Sequence, residues 1–191
     1  MVTKTAVRDN RLIDALDALP RTALQGHVWR VVREGRDPCQ CSASGGRWDD
    51  GTFDVLYTSH TRDGAIAEMY FHLLRGQPVF PSRAHFVLHE LDISLTNVLT
   101  FSALTELAPL GFDIGRFGQL SYNERLQEYP RSQEIAEVAH FLDCDGIVVP
   151  SARWPSTNVV LFCDRLPPGA IEPVKDHGII DWVDWQKRSK V

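Results

Sequence analysis

Arg30, Arg47, Tyr57 and Glu68 follow one another in an order that suits chemistry on an anionic nucleotide. Arginine presents a planar fork of donors that matches phosphate oxygens. A tyrosine ring can stack on a heterocycle, and its hydroxyl adds a polar handle. A carboxylate can stabilise positive charge that builds on a sugar carbon. Gly45 and Gly46 come directly before Arg47 and allow close approach of the backbone. Gly45-Gly46-Arg47-Trp48 is therefore a candidate phosphate cradle. No helix follows it in the G-x-G-x-x-G pattern, so neither a Rossmann turn nor a P-loop is expected.

These side chains need elements to position them. His27-Val28-Trp29-Arg30-Val31-Val32 is β-branched and aromatic, which predicts a strand carrying Arg30. Arg33 to Asp54 is a long irregular connection with several glycines, and loops of that length in compact domains are usually functional or disordered. Its Trp48, Arg47 and cysteines argue against simple disorder. Asp54 to Ser59 is a second strand and carries Tyr57. Thr61 is a plausible N-cap for a helix running to Arg75, with Gly76 as its stop. On that helix Ala65, Ile66, Met69, Tyr70 and Leu73 share a broad apolar face. Glu68, His72 and Arg75 share the narrow opposite one. Taken alone, Glu68 reads most simply as a solvated partner of Arg75 or His72, and Trp48 as a packing residue.

Other elements complete a core. Residues 7–19 form a short amphipathic helix ended by Pro20. His85 to Ile93 and Val98 to Phe101 are two strand pieces. Residues 102–128, with Gly111, Gly115 and Gly118, read as short helices joined by turns. Pro130-Arg131-Ser132-Gln133 opens a helix through about Leu142, with Ser132 a candidate N-cap. Ile147 to Val149 and Asn158 to Phe162 are strands, and the tail with Trp182 and Trp185 reads as mostly loop. Helices and strands mix without strict alternation, which predicts an α+β fold with a mixed β-sheet and flanking helices.

Composition narrows the function classes. The chain has 191 residues, about one domain's worth, with 43% hydrophobic and 24% charged residues. Its net charge of -5 makes it a poor general nucleic-acid binder. No run is long and apolar enough to suggest a membrane span, and the first ten residues lack the apolar stretch of a signal peptide. A cytoplasmic location follows, with Cys39, Cys41, Cys144 and Cys163 expected as reduced thiols. Cys39-Gln40-Cys41 lacks a second pair or a histidine at ligand spacing, so no metal site is expected. His27, His60, His85, His89, His140 and His177 are scattered and read as structural.

Read in order, several pieces resemble one family. They are Trp29-Arg30, Gly45-Gly46-Arg47-Trp48, Leu56-Tyr57-Thr58-Ser59, Ala65 to Glu68, Ser132-Gln133, Val149-Pro150-Ser151-Ala152 and then Asn158. This pattern is similar to the RES domain, named for arginine, glutamate and serine. It covers about 27–163, with the helix at 7–19 before it and an extension over 164–191 in one RES-type domain. The sequence departs from the pattern at Asp49-Asp50-Gly51, where the family commonly has Asn-Pro. Ser132 and Ser151 both remain candidates for the family serine, and nothing in 102–128 matches.

The resemblance implies the toxin of a bacterial type II toxin–antitoxin system, with a fold similar to ADP-ribosyltransferase toxins. It implies NAD as substrate, consumed by hydrolysis, phosphorolysis or transfer of ADP-ribose to a protein. Glu68 would stabilise the oxocarbenium-like state and Arg30 would act with it. Arg30, Arg47, Tyr57, Ser132, Ser151 and Asn158 would bind NAD. No metal and no further cofactor are needed, because nicotinamide leaves readily. An Xre-type helix-turn-helix antitoxin is expected to cover the Arg30–Glu68 cleft, and a protein acceptor of ADP-ribose is a further partner. The alternative from another class is a non-catalytic binding module that keeps the fold and regulates a partner.

Overall fold

The computed structural model describes residues 8–74, 84–119 and 124–189. Val7, Arg75, Gly76, the 77–82 loop and residues 120–123 of the 102–128 stretch lie outside the described residues. The helices are α1 (Asn10–Asp17), α2 (Arg62–Leu73), α3 (Arg125–Phe141) and α4 (Trp182–Ser189). The strands are β1 (Thr22–Arg33), β2 (Val55–Ser59), β3 (Phe86–Thr100), β4 (Gly146–Pro150), β5 (Thr157–Phe162) and β6 (Ile171–Ile179). Short 3-10 turns occupy Leu104–Glu106, Ala108–Leu110 and Ile114–Arg116, as the glycine-punctuated sequence suggests.

The strand order is β1-β2-β5-β4-β3-β6, and β1 also pairs with β3. Five strands therefore close on one another, and β6 is added outside along β3. The β3–β4 pair is parallel and the others are antiparallel, so the sheet is mixed as expected. Period-two alternation assigns each strand's two faces. Ile147, Val149, Val160 and Phe162 pack with α1 and α3, while Val148, Val159 and Leu161 point into a second core with Val28 and Leu91. Ala65, Ile66 and Tyr70 of α2 form a third core with Trp185 of α4. Thr61 caps α2 as its position suggests, its hydroxyl accepting from the Gly64 N–H at 3.1 Å.

Four sequence expectations need correction. The two pieces around residues 85–101 are one 15-residue strand, because β1 pairs along it from Arg33 opposite Phe86 to Thr22 opposite Val98, with one register shift between Leu24 and Thr22. The tail is not mostly loop but β6 and α4. Almost all of β6 is exposed, so it lacks the alternation that marks a core-facing strand, and Pro173 is tolerated on a sheet edge. Helix α3 starts at Arg125 rather than at Pro130, which sits inside it. Proline cannot donate there, but the added turn buries Glu128 and Tyr129 against Arg47.

The cysteines give the fourth correction. Cys41 and Cys163 form a disulfide, leaving Cys39 and Cys144 as thiols. The reason is register: Ser42 bridges Val55, and Val55 pairs with Phe162, so the flanking residues 41 and 163 meet. Their Cα atoms are 6.5 Å apart, within bridging reach. The bond closes a separation of 122 residues. Cys41→Ser is expected to lower unfolding stability by about 2–4 kcal/mol in urea titration under non-reducing conditions. An identical midpoint in the variant would show that the tether contributes nothing.

Candidate active site

Strands β1 and β2, helix α2, the 42–48 loop and the β4–β5 connection surround a cavity of about 410 Å³. That is within the range of small-molecule sites. Arg30 reaches it from β1. Its Nη2 donates to the Gln40 carbonyl at 3.1 Å, and its Nη1 is buried with no hydrogen-bond partner among the described residues. Burial pushes the Arg30 pKa down, and the nearby Cys39 and Asp37 push it back. A buried cationic donor without a partner is costly unless an anion arrives.

Glu68, the seventh residue of α2, lines the same cavity and is half-buried. Its Oε1 accepts from Ser151 Oγ at 2.7 Å and from Asn158 Nδ2 at 2.8 Å. Ser151 is itself fixed, its Oγ accepting from the backbone N–H groups of Arg153 at 3.1 Å and Trp154 at 3.2 Å. Asn158 stands on β5 opposite Val149 of β4 and Ser59 of β2, which fixes its backbone on both sides. Its Oδ1 is buried without a partner. Two separate elements thus hold one carboxylate oxygen; Arg75, the other partner suggested for Glu68, lies outside the described residues.

The 45–48 loop is folded around Asp49. This fully buried carboxylate accepts from the N–H groups of Gly45 at 2.6 Å and Gly46 at 2.8 Å, and from Tyr57 Oη at 2.9 Å. Tyr57 Oη in turn accepts from the Trp48 N–H at 2.9 Å. Burial and then the Asp49 charge raise the Tyr57 pKa well above its ordinary value. The tyrosine therefore offers its ring to the cavity while its hydroxyl is already committed. Gln133 of α3 ties the loop from the other side, its Nε2 donating to the carbonyls of Gly46 at 2.7 Å and Asp49 at 3.0 Å. A Cβ on Gly46 would lie 2.6 Å from Tyr57 Oη, so that position requires glycine for close approach. Trp48 is buried and stacks on Phe112. Arg47 is ion-paired to Glu128 and lies over the rings of Phe117 at 4.7 Å and Tyr129 at 4.8 Å.

A family model described as the RES domain matches residues 27–183. The chain belongs to the RES domain family. No curated protein matches it. Its fold is similar to a chain of the crystal structure of the M. tuberculosis MbcT–MbcA toxin–antitoxin complex, with a TM-score of 0.77 at 18% identity. That match covers 96% of this chain and 99% of the other.

Within this RES domain, Arg30, Arg47, Tyr57, Glu68 and Asn158 all line one cavity, and Ser151 bonds to Glu68 from beside it. Ser132 does not join them. It lies inside α3, fully buried, and its Oγ donates to the Tyr129 carbonyl at 2.8 Å, one turn back near Pro130. It therefore does not open the helix, because α3 begins seven residues earlier, about two turns, and it is not among the residues lining the cavity. Sequence reasoning missed Asp49, Glu128 and Arg153. Asp49 carries a signal in retrospect, a short acid beside a glycine pair whose N–H groups need an acceptor. Glu128 carries none, since its partner is 81 residues away. Among the described residues no group of three or more His, Cys, Asp or Glu could hold a metal, and no helix is long and apolar enough to cross a membrane.

Proposed function

We propose that this RES domain is the toxin of a toxin–antitoxin pair and acts by consuming NAD. The observation that carries this is Glu68, held at one oxygen by Ser151 and Asn158 in the cavity that Arg30 also lines, with its buried Nη1 unpartnered among the described residues. NAD offers complementary charges. Its pyrophosphate suits a guanidinium, and its ribose becomes cationic as the bond to nicotinamide stretches. The nicotinamide nitrogen takes the bonding electron pair and leaves neutral, so no strong general acid is required. Glu68 stabilises the oxocarbenium-like carbon, an electrostatic role for a prepositioned charge. Arg30 binds the pyrophosphate, and the Tyr57 ring forms a wall for the nicotinamide. Asn158 Oδ1 accepts from a ribose hydroxyl, which meets its unpartnered state. The acceptor is water, phosphate or a protein side chain.

The neighbour of known structure comes from a toxin–antitoxin complex, which supports a partner of the same kind here. The proposed antitoxin covers the Arg30–Glu68 cleft with its own C-terminal segment. The test is direct. Purified protein is incubated with NAD, with and without phosphate, and products are separated by chromatography, beside a search for labelled protein when labelled NAD is used. Nicotinamide release is expected. A folded protein that releases none and labels no protein would sink the proposal.

A further inference from the structure

Among the described residues three arginines line the cavity, and their charges are not equally available. Arg47 is already paired with Glu128, whose side chain is only 4% exposed, and two rings enclose its guanidinium. Turning Arg47 toward a ligand would leave Glu128 buried and charged without a partner, which folds resist. Arg153, from the β4–β5 connection, has only neutral partners among the described residues. Its Nη1 donates to the Gly118 carbonyl at 3.3 Å, and its guanidinium lies 5.3 Å from the Phe71 ring centroid. Its backbone N–H donates to Ser151 Oγ, the same hydroxyl that holds Glu68. Arg153 is therefore registered to the Glu68 carboxylate through one intervening atom.

Charge balance gives these facts a consequence. The ionised groups of the wall that lack an ion-pair partner among the described residues are Arg30, Arg153 and Glu68. They present two positive charges and one negative. NAD carries two negative charges on its pyrophosphate and one positive charge on its nicotinamide ring. We propose that Arg153 and Arg30 together grip the pyrophosphate, and that Arg47 is a structural latch joining the 45–48 loop to α3. This assigns the second phosphate ligand to a residue outside the motifs that mark the family in this sequence. It rests on the NAD reading above. Arginine forks suit adjacent phosphates, because each can give two parallel bonds.

The test is a KM-against-kcat split for nicotinamide release. Arg153→Gln is expected to raise the KM for NAD by about tenfold or more while kcat stays within about threefold, since a bond to the pyrophosphate is present in ground and transition states alike. The rise of KM with added salt should be shallower in the variant than in the wild type. Arg153→Lys should recover part of the loss, and Arg153→Met supplies an unbranched apolar side chain beside Phe71 should the glutamine variant fold poorly. A KM within twofold of wild type in a folded variant would overturn the assignment, as would a fall in kcat at constant KM. Wild-type protein that turns over no NAD would overturn the NAD reading itself, a result distinct from an unchanged KM in the variant.

Discussion

Glu68→Gln is expected to reduce nicotinamide release by about 10²–10³-fold while leaving the melting temperature of the protein unchanged. The substitution is chosen for its geometry. Glu68 Oε1 accepts two hydrogen bonds, from Ser151 and Asn158, and a glutamine carbonyl oxygen can accept both. The side chain then keeps its place, and only its negative charge is lost. A cation developing on the ribose loses its counter-charge, so the loss should fall on kcat rather than on KM. Growth inhibition in cells should disappear with it. Full growth inhibition by a folded Glu68→Gln protein would instead favour the non-catalytic binding module. Unchanged turnover in vitro would remove Glu68 from the chemistry altogether.

The second large effect is structural, and it lies at a residue that the motifs did not single out. Asp49→Ala removes the common acceptor of the Gly45 and Gly46 N–H groups and of Tyr57 Oη, all within one part-buried network. Each donor left without a partner costs about 1–3 kcal/mol. Relaxation will recover some of this, so a loss of about 3–5 kcal/mol in urea unfolding is expected. Asp49→Asn should lose less. Its remaining oxygen can serve Gly46 and Tyr57, leaving only the Gly45 N–H facing an amide. Equal stability in the alanine variant and the wild type would show that the loop is held elsewhere, with the Gln133 bonds as the first candidate.

Much of the site was legible because local sequence bounds it. Arg30 lies on a β-branched strand, Tyr57 on the next strand, and Glu68 on a helix whose cap and apolar face can be read directly. Ser151 and Asn158 flank a short connection between two apolar strands, and β-pairing alone sets them near one another. Ser132 was misplaced for a local reason as well. Proline at a first helical position is a sound rule, but burial of Glu128 and Tyr129 extends α3 past it. The tail was misread because β6 is an edge strand without a buried face.

The sequence by itself determined the mixed α+β architecture, the family and most of the polar residues gathered around the cavity. Those follow from periodicity, turn chemistry and motif order, which are properties of neighbours along the chain. The tertiary structure decided which of those residues lie together and which charges have a partner. It joined Cys41 to Cys163, gave Arg47 to Glu128, left Arg30 and Arg153 without an ion-pair partner among the described residues, and placed Ser151 and Asn158 on Glu68. Each of these is a contact between residues far apart in sequence. Whether a charge is met or unmet depends on which partner the fold brings within hydrogen-bonding reach, and spacing along the chain carries no record of that.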